Sequence, residues 1–85
     1  MAIFLVLPAS NPAAVKAELQ KNGMEFIDLP AHGHFVSFRG TSEELSNALG
    51  ITDGKSGTGV VTLVTSYYGR LPTNIWDWVK SRWEA

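Results

Sequence analysis

The chain contains no cysteine among its 85 residues. This absence excludes disulfide bonds, thiolate catalysis and cysteine-based zinc sites, and it suits a reducing compartment. The apolar stretch from Ala2 to Leu7 is too short to span a bilayer, and no charged segment precedes it as in a signal peptide. We therefore expect a cytoplasmic protein that has no membrane partner.

The sequence also lacks an excess of charge of either sign. Seven Lys and Arg residues and eight Asp and Glu residues give a formal net charge of -1, and there is no basic run. Nucleic-acid binding requires a basic footprint, so no nucleic-acid partner is expected. With 45% hydrophobic and 18% charged residues, the composition is that of a folded protein. We expect a single α+β domain over residues 1–85, and self-association would support its small core.

The pattern of apolar residues predicts the order βαββαβ followed by an extra C-terminal helix. A capping box at Thr41-Ser42-Glu43-Glu44 opens the second helix, and Gly50 ends it. Asn11 and Pro12 open the first helix, which Gly23 ends. The predicted strands cover Ile3 to Leu7, Met24 to Leu29, His34 to Arg39 and Thr58 to Tyr68.

Right-handed crossovers in the two βαβ units give a four-stranded antiparallel sheet of order 4-1-3-2, with the first two helices on one face. This arrangement is the ferredoxin-like βαββαβ sandwich. Strands one and four are apolar on both sides, with Val61, Leu63 and Tyr67 expected on one face of strand four. The second face of the sheet must therefore be covered by the C-terminal helix, by a second subunit, or by both.

Three tryptophans lie in the last ten residues. A helix through them, capped by Thr73 or Asn74, places Ile75, Trp76, Val79 and Trp83 within roughly 100° of one another. Such a face either completes the core of its own subunit or contacts a neighbouring one. In the second case Trp76, Val79 and Trp83 form an interface, and the protein is a dimer or a higher oligomer.

The order of elements over residues 3 to 68 resembles the small-molecule-sensing ACT domains and other ferredoxin-like regulatory modules. In the ACT pattern a glycine normally opens the first helix near the ligand, whereas this chain has Asn11-Pro12-Ala13-Ala14 at that place. No family is assigned on this resemblance. It implies a regulatory, ligand-binding module.

The segment Tyr67-Tyr68-Gly69-Arg70 is the first candidate ligand site. Aromatic faces and a guanidinium can hold a planar or anionic ligand, and Gly69 permits close approach of the backbone. The alternative is an ordinary strand end with a turn glycine and a surface arginine. The loop Gly50-Ile51-Thr52-Asp53-Gly54-Lys55-Ser56 is one residue too short for a P-loop and follows a helix instead of a strand, which excludes nucleotide hydrolysis there. Lys55 remains a candidate anion ligand, and an ordinary solvated connector is the alternative.

His32 and His34 are the only histidines, and they are two residues apart. If the strand extends back to His32, both rings project from one face, and Asp28 or Glu25 could complete a metal site. The alternative is a pair of turn histidines with no shared ligand, because Pro30 and Gly33 flank them. No nucleophile signature accompanies them, so we assign no catalytic residue, no metal and no cofactor.

These observations predict a non-enzymatic, homo-oligomeric binding module for a small anionic or nucleotide-like ligand at a subunit interface. A structural or accessory subunit that binds other proteins is the second hypothesis. A small enzyme or metal site that depends on His32 and His34 is the third.

Overall fold

The computed structural model describes residues 1 to 83; residues 84 and 85, which the predicted domain includes, lie outside the described part. The described residues form an α+β protein with four strands and three α-helices. The elements are β1 (Ala2–Pro8), α1 (Pro12–Lys21), β2 (Glu25–Asp28), a 3-10 turn (Pro30–His32), β3 (His34–Phe38), α2 (Ser42–Leu49), β4 (Gly59–Leu63) and α3 (Thr73–Arg82).

The first two helices begin and end where their capping residues predict. The side chain of Asn11 accepts a hydrogen bond from the Ala14 amide at 3.2 Å. At α2 the Thr41 hydroxyl accepts from the Glu44 amide at 3.1 Å, while the Glu44 carboxylate accepts from the Thr41 amide at 2.9 Å. Gly50 then adopts a left-handed conformation with φ 75°, which ends α2. These bonds satisfy backbone groups that a helix end otherwise leaves unpaired.

The strands form one four-stranded antiparallel sheet of order β2-β3-β1-β4. This is the predicted order 4-1-3-2 read from the opposite edge. β1 lies in the interior of the sheet, between β3 and β4, as its unbroken apolar sequence predicts.

One face of the sheet packs against α1 and α2. The buried side chains that meet there come from the sheet, from the two helices and from the start of the loop after α2. They are Phe4, Val6, Val15, Leu19, Val36, Leu45, Leu49 and Ile51. Val15 and Leu19 of α1 and Leu45 and Leu49 of α2 are fully buried. The apolar stripes of both helices therefore face the same side of the sheet.

The opposite face of the sheet packs against α3 of the same chain. Ile75 and Val79 are 3% and 1% exposed, and they form a cluster with Ile3 and Phe35 of the sheet. Trp76, Trp78 and Trp83 are half-buried at the margin of this cluster. Within residues 1 to 83, no helix combines the length and apolar character needed to cross a membrane.

Two predicted boundaries are wrong. β4 ends at Leu63 instead of Tyr68, because its partner β1 begins at Ala2 and the ladder closes with the Val64 amide on the Ile3 carbonyl at 3.0 Å. The side-chain alternation stops there, so Tyr67 packs with Val64 on the α3 side instead of with Leu63. The N-cap of α3 is Pro72, which makes no side-chain cap bond, so neither Thr73 nor Asn74 caps the helix.

Candidate functional site

A cavity of about 450 Å³ lies between the first turns of α1 and the segment that joins β2 to β3. We call it the α1 cavity. Its polar lining comes from four side chains, those of Lys16, Asp28, His32 and His34. The remaining lining residues are small or apolar: Pro12, Ala13, Leu29, Ala31 and Gly33.

Three of the polar residues form a connected chain. Lys16 Nζ donates to Asp28 Oδ2 at 2.7 Å, and His34 Nδ1 lies 2.9 Å from Asp28 Oδ1. Asp28 is the last residue of β2 and His34 the first of β3, and the two are directly paired across the strands. Lys16 reaches the same carboxylate from α1. The fold therefore brings a cation, a carboxylate and an imidazole to one wall of the cavity.

His34 is 3% exposed, and burial lowers the pKa of its imidazole, although the Asp28 carboxylate opposes this effect. Hydrogen bonding and charge from Lys16 lower the pKa of Asp28. At neutral pH an ionised Asp28 can only accept, so His34 Nδ1 carries the proton and donates it to the carboxylate.

The other ring nitrogen of His34 is left as an acceptor. Within residues 1 to 83, Nε2 has no hydrogen-bond partner and no solvent contact. The ring also packs edge-on against Phe26, with centroids 5.7 Å apart. A buried polar atom without a hydrogen-bond partner lowers the stability of the folded state, so the burial of Nε2 is unfavourable for folding.

His32 differs from His34 in conformation and exposure. It has φ 72°, and the preceding Ala31 has φ 66°, both in the left-handed region that non-glycine residues rarely adopt. β3 begins only at His34, so the strand does not extend back to His32, and the condition for placing both histidine rings on one strand face is not met. Both residues nevertheless line the α1 cavity. In the described part of the chain, no three His, Cys, Asp or Glu side chains converge as a metal site requires.

The first candidate site from the sequence is an exposed corner after β4. Tyr67 stacks on Trp76 with ring centroids 5.2 Å apart, and it meets Trp83 edge-on at 5.0 Å. Tyr68 and Arg70 are exposed to solvent. A depression of about 170 Å³ is lined by Tyr67, Tyr68, Gly69 and Trp76, without Arg70. The aromatic face of Tyr67 is thus already used within the chain.

Lys55 does not join this corner. It precedes β4, whereas Tyr67 follows it, so the two lie beyond opposite ends of the strand. The Lys55 side chain is 84% exposed, and its Nζ is 3.8 Å from Asp53 Oδ2. The structure therefore separates the predicted ligand residues into two places.

The predicted interface residues occupy different environments. Val79 is buried within its own chain, beside Ile3 and Phe35. Trp76 and Trp83 retain partial exposure and contact Tyr67. A role for these three residues in binding a second subunit stays a prediction.

Sequence reasoning connected His32, His34 and Asp28, but it did not include Lys16. Lys16 is 12 residues from Asp28, and only the packing of α1 on the sheet brings the two together. No family model, no curated protein and no solved structure matches this chain. The geometry of the site is therefore the basis for its function.

Proposed function

We propose that this protein is a non-enzymatic module that binds a small anionic molecule in the α1 cavity. The observation that carries the proposal is a cavity of about 450 Å³ whose wall holds Lys16, Asp28 and His34 as a connected chain of polar groups. Small-molecule sites in proteins are concave, mostly apolar and furnished with a few convergent polar groups. The α1 cavity has each of these properties.

Lys16 is the group best suited to hold the anion. Its ammonium has three donors, of which one binds Asp28, and its side chain is 44% exposed. Pro12 and Ala13 place the first turn of α1 in the same wall, and the positive end of a helix dipole favours negative charge.

A small anion fits this cavity better than a nucleotide. A nucleobase needs a broad aromatic surface, and the cavity wall offers only the rings of His32 and His34. The tyrosine and tryptophan rings lie in the other candidate site, where Tyr67 already stacks on Trp76. We accordingly place the anionic ligand at Lys16, and neither Arg70 nor Lys55 contributes to binding it.

The Asp28–His34 pair favours a second candidate function, general base catalysis. A carboxylate that holds Nδ1–H directs the lone pair of Nε2 toward a reacting group, as in hydrolases. Against this function, Nε2 has no solvent access in the described structure, and no Ser or Thr lines the cavity. The binding role requires neither feature.

At the level of the fold, we infer a ferredoxin-like arrangement, which is supported by the strand order and by α1 and α2 on one face. The absence of cysteine supports action in the cytoplasm, and a regulatory role follows if the ligand changes the protein's contacts. An accessory subunit without a ligand is the alternative, and it predicts that the cavity binds nothing.

The proposal is tested by NMR titration of the amide resonances with inorganic phosphate and, separately, with citrate. We expect saturable shifts at Ala13, Lys16 and Gly33, which line the cavity, and none at Lys55 or Arg70. Lys16→Gln removes the cation and should weaken binding by about 10-fold or more, the range for hydrogen bonds to charged groups.

Lys21→Gln is the matched control, because it removes the same charge from the last turn of the same helix, outside the cavity. The Lys21→Gln variant should bind phosphate and citrate with the wild-type affinity. Equal losses in the two variants would reduce the effect to net charge and contradict the proposal. Saturable shifts confined to Tyr67–Arg70 would move the site to the exposed corner.

A further inference from the structure

The two edges of the sheet differ in their protection against pairing with another strand. β2, at one edge, carries charged residues at both ends, Glu25 and Asp28. Each is held in an ion pair, Glu25 with Arg82 at 2.8 Å and Asp28 with Lys16 at 2.7 Å. Charged side chains on an edge strand oppose the addition of a further strand. The charged residues of β2 therefore protect this edge against pairing with another strand.

β4, at the other edge, has no such protection. The sequence contains no charged residue and no proline between Lys55 and Arg70. Val60 and Leu63 are 57% and 47% exposed, and they project from opposite faces of the strand. Beside Val60, Leu7 of β1 is 46% exposed. Exposed apolar residues on an uncharged edge strand mark a surface for strand addition.

Every second residue of β4 has a backbone N–H and C=O that point away from β1 and toward this open edge. The Val64 amide binds the Ile3 carbonyl, and the Ala9 amide binds the Thr58 carbonyl, at 3.0 and 2.7 Å. In an antiparallel ladder these bonds alternate along the strand. Even-numbered residues of β4 therefore face β1, and the N–H and C=O groups of Gly59, Val61 and Leu63 point outward.

We propose that β4 pairs antiparallel with β4 of a second copy of this chain, which joins two sheets into one of eight strands. Gly59 and Leu63 lie two residues before and two residues after Val61. A two-fold axis through Val61 therefore pairs Gly59 of each copy with Leu63 of the other. Val60 then lies opposite Thr62 on the face that carries α3. A two-fold contact requires a strand that is compatible with itself, and a strand without charge meets no like charge there.

The second copy is the occupant favoured by these observations because the strand is self-complementary in hydrogen-bonding parity and in charge. A single strand pair is a small contact compared with a standard protein interface. We therefore expect a reversible, concentration-dependent dimer. This inference is independent of ligand binding, because no residue of β4 lines the α1 cavity.

The test is residue-resolved hydrogen exchange of the wild-type protein at low micromolar and at millimolar concentration, together with sedimentation velocity. We expect the amides of residues 59, 61 and 63 to exchange several-fold more slowly at the high concentration. The amides of residues 60, 62 and 64 are already bound to β1 and should change little. Sedimentation should shift from monomer to dimer over the same range.

Val60→Lys should weaken the dimer by about 10-fold or more, since the two new ammonium groups fall within a Debye length of each other, about 10 Å at 0.1 M salt. Ala17→Lys adds the same charge on the exposed side of α1 and should leave dimerisation unchanged. Unfolding midpoints check that both variants fold. A monomer at millimolar concentration, protection of the β2 edge instead, or a dimer that Val60→Lys leaves intact would each overturn the proposal.

Discussion

His34 and Asp28 face each other across two adjacent strands, with His34 Nδ1 2.9 Å from Asp28 Oδ1. Asp28 is half-exposed, whereas His34 is almost fully buried. The contact thus joins a group that water can reach to one that it cannot. Because Lys16 holds the other carboxylate oxygen, the three residues link α1, β2 and β3 at the wall of the α1 cavity.

The burial of His34 predicts loss of stability in mild acid. Its folded pKa is lowered from the ordinary 6.5 by desolvation, so the unfolded chain takes up the proton more readily. The contribution of neutral, buried His34 to the free energy of unfolding is fully present above the pKa that His34 has in the unfolded chain. This contribution is lost as the pH falls below that value toward the lower pKa of the folded chain. The free energy of unfolding in urea should therefore decrease between pH 7.5 and pH 5.

His34→Asn keeps a neutral donor for Asp28 and removes the titration, so the decrease in this pH range should be smaller. The overall stability of this variant should also be lower, because the ring leaves a void. A wild-type stability that is flat from pH 7.5 to pH 5 would contradict the burial of His34.

The contact between Tyr67 and Trp76 predicts measurable coupling. The rings stack with an interplanar angle of 23°, and aromatic pairs of this kind are worth about 0.5–1.5 kcal/mol beyond their burial. A double-mutant cycle with Tyr67→Ala and Trp76→Ala should give a coupling free energy in that range. Additive effects of the two substitutions would show that the rings do not interact in solution.

The packing of α3 on the sheet predicts a large loss on truncation of its buried face. Ile75→Ala should lower the free energy of unfolding by about 2–5 kcal/mol, the range for a buried Ile. Lys80→Ala changes an exposed residue of the same helix and should have a small effect. An unchanged urea midpoint for Ile75→Ala would mean that α3 does not cover the sheet.

Arg70 separates the two candidate binding sites. Its side chain lies in the exposed corner and outside the α1 cavity, so Arg70→Ala should leave both stability and phosphate binding unchanged. A loss of binding comparable to that of Lys16→Gln, with Arg70→Lys recovering only part of it, would instead support the corner as the ligand site.

The sequence predicts those parts of the fold that depend on local chemistry. The capping box at Thr41 and the left-handed Gly50 set α2, and the bonds they imply are present. The length of β4 was predicted wrongly, because Thr65 to Tyr68 have strand-like residues but no strand beside them. Strand ends depend on the partner as well as on the sequence.

The candidate site could be predicted only in part for a similar reason. Asp28 and His34 are six residues apart on a hairpin, so their proximity follows from pairing of neighbouring strands. The position of Lys16 depends on the packing of α1, and the open cavity depends on the left-handed turn at Ala31 and His32. Neither feature has a signature in the spacing of residues.

The central claim, that the α1 cavity is the binding site, is tested most directly by filling it. Ala13 lines the cavity, whereas Ala17, one turn later on α1, does not. Both residues are exposed, so each tolerates a larger side chain. The measurement is the NMR titration with inorganic phosphate, carried out on Ala13→Trp and on Ala17→Trp. The account predicts that Ala13→Trp abolishes saturable binding and that Ala17→Trp retains the wild-type affinity; equal binding by the two variants would contradict it.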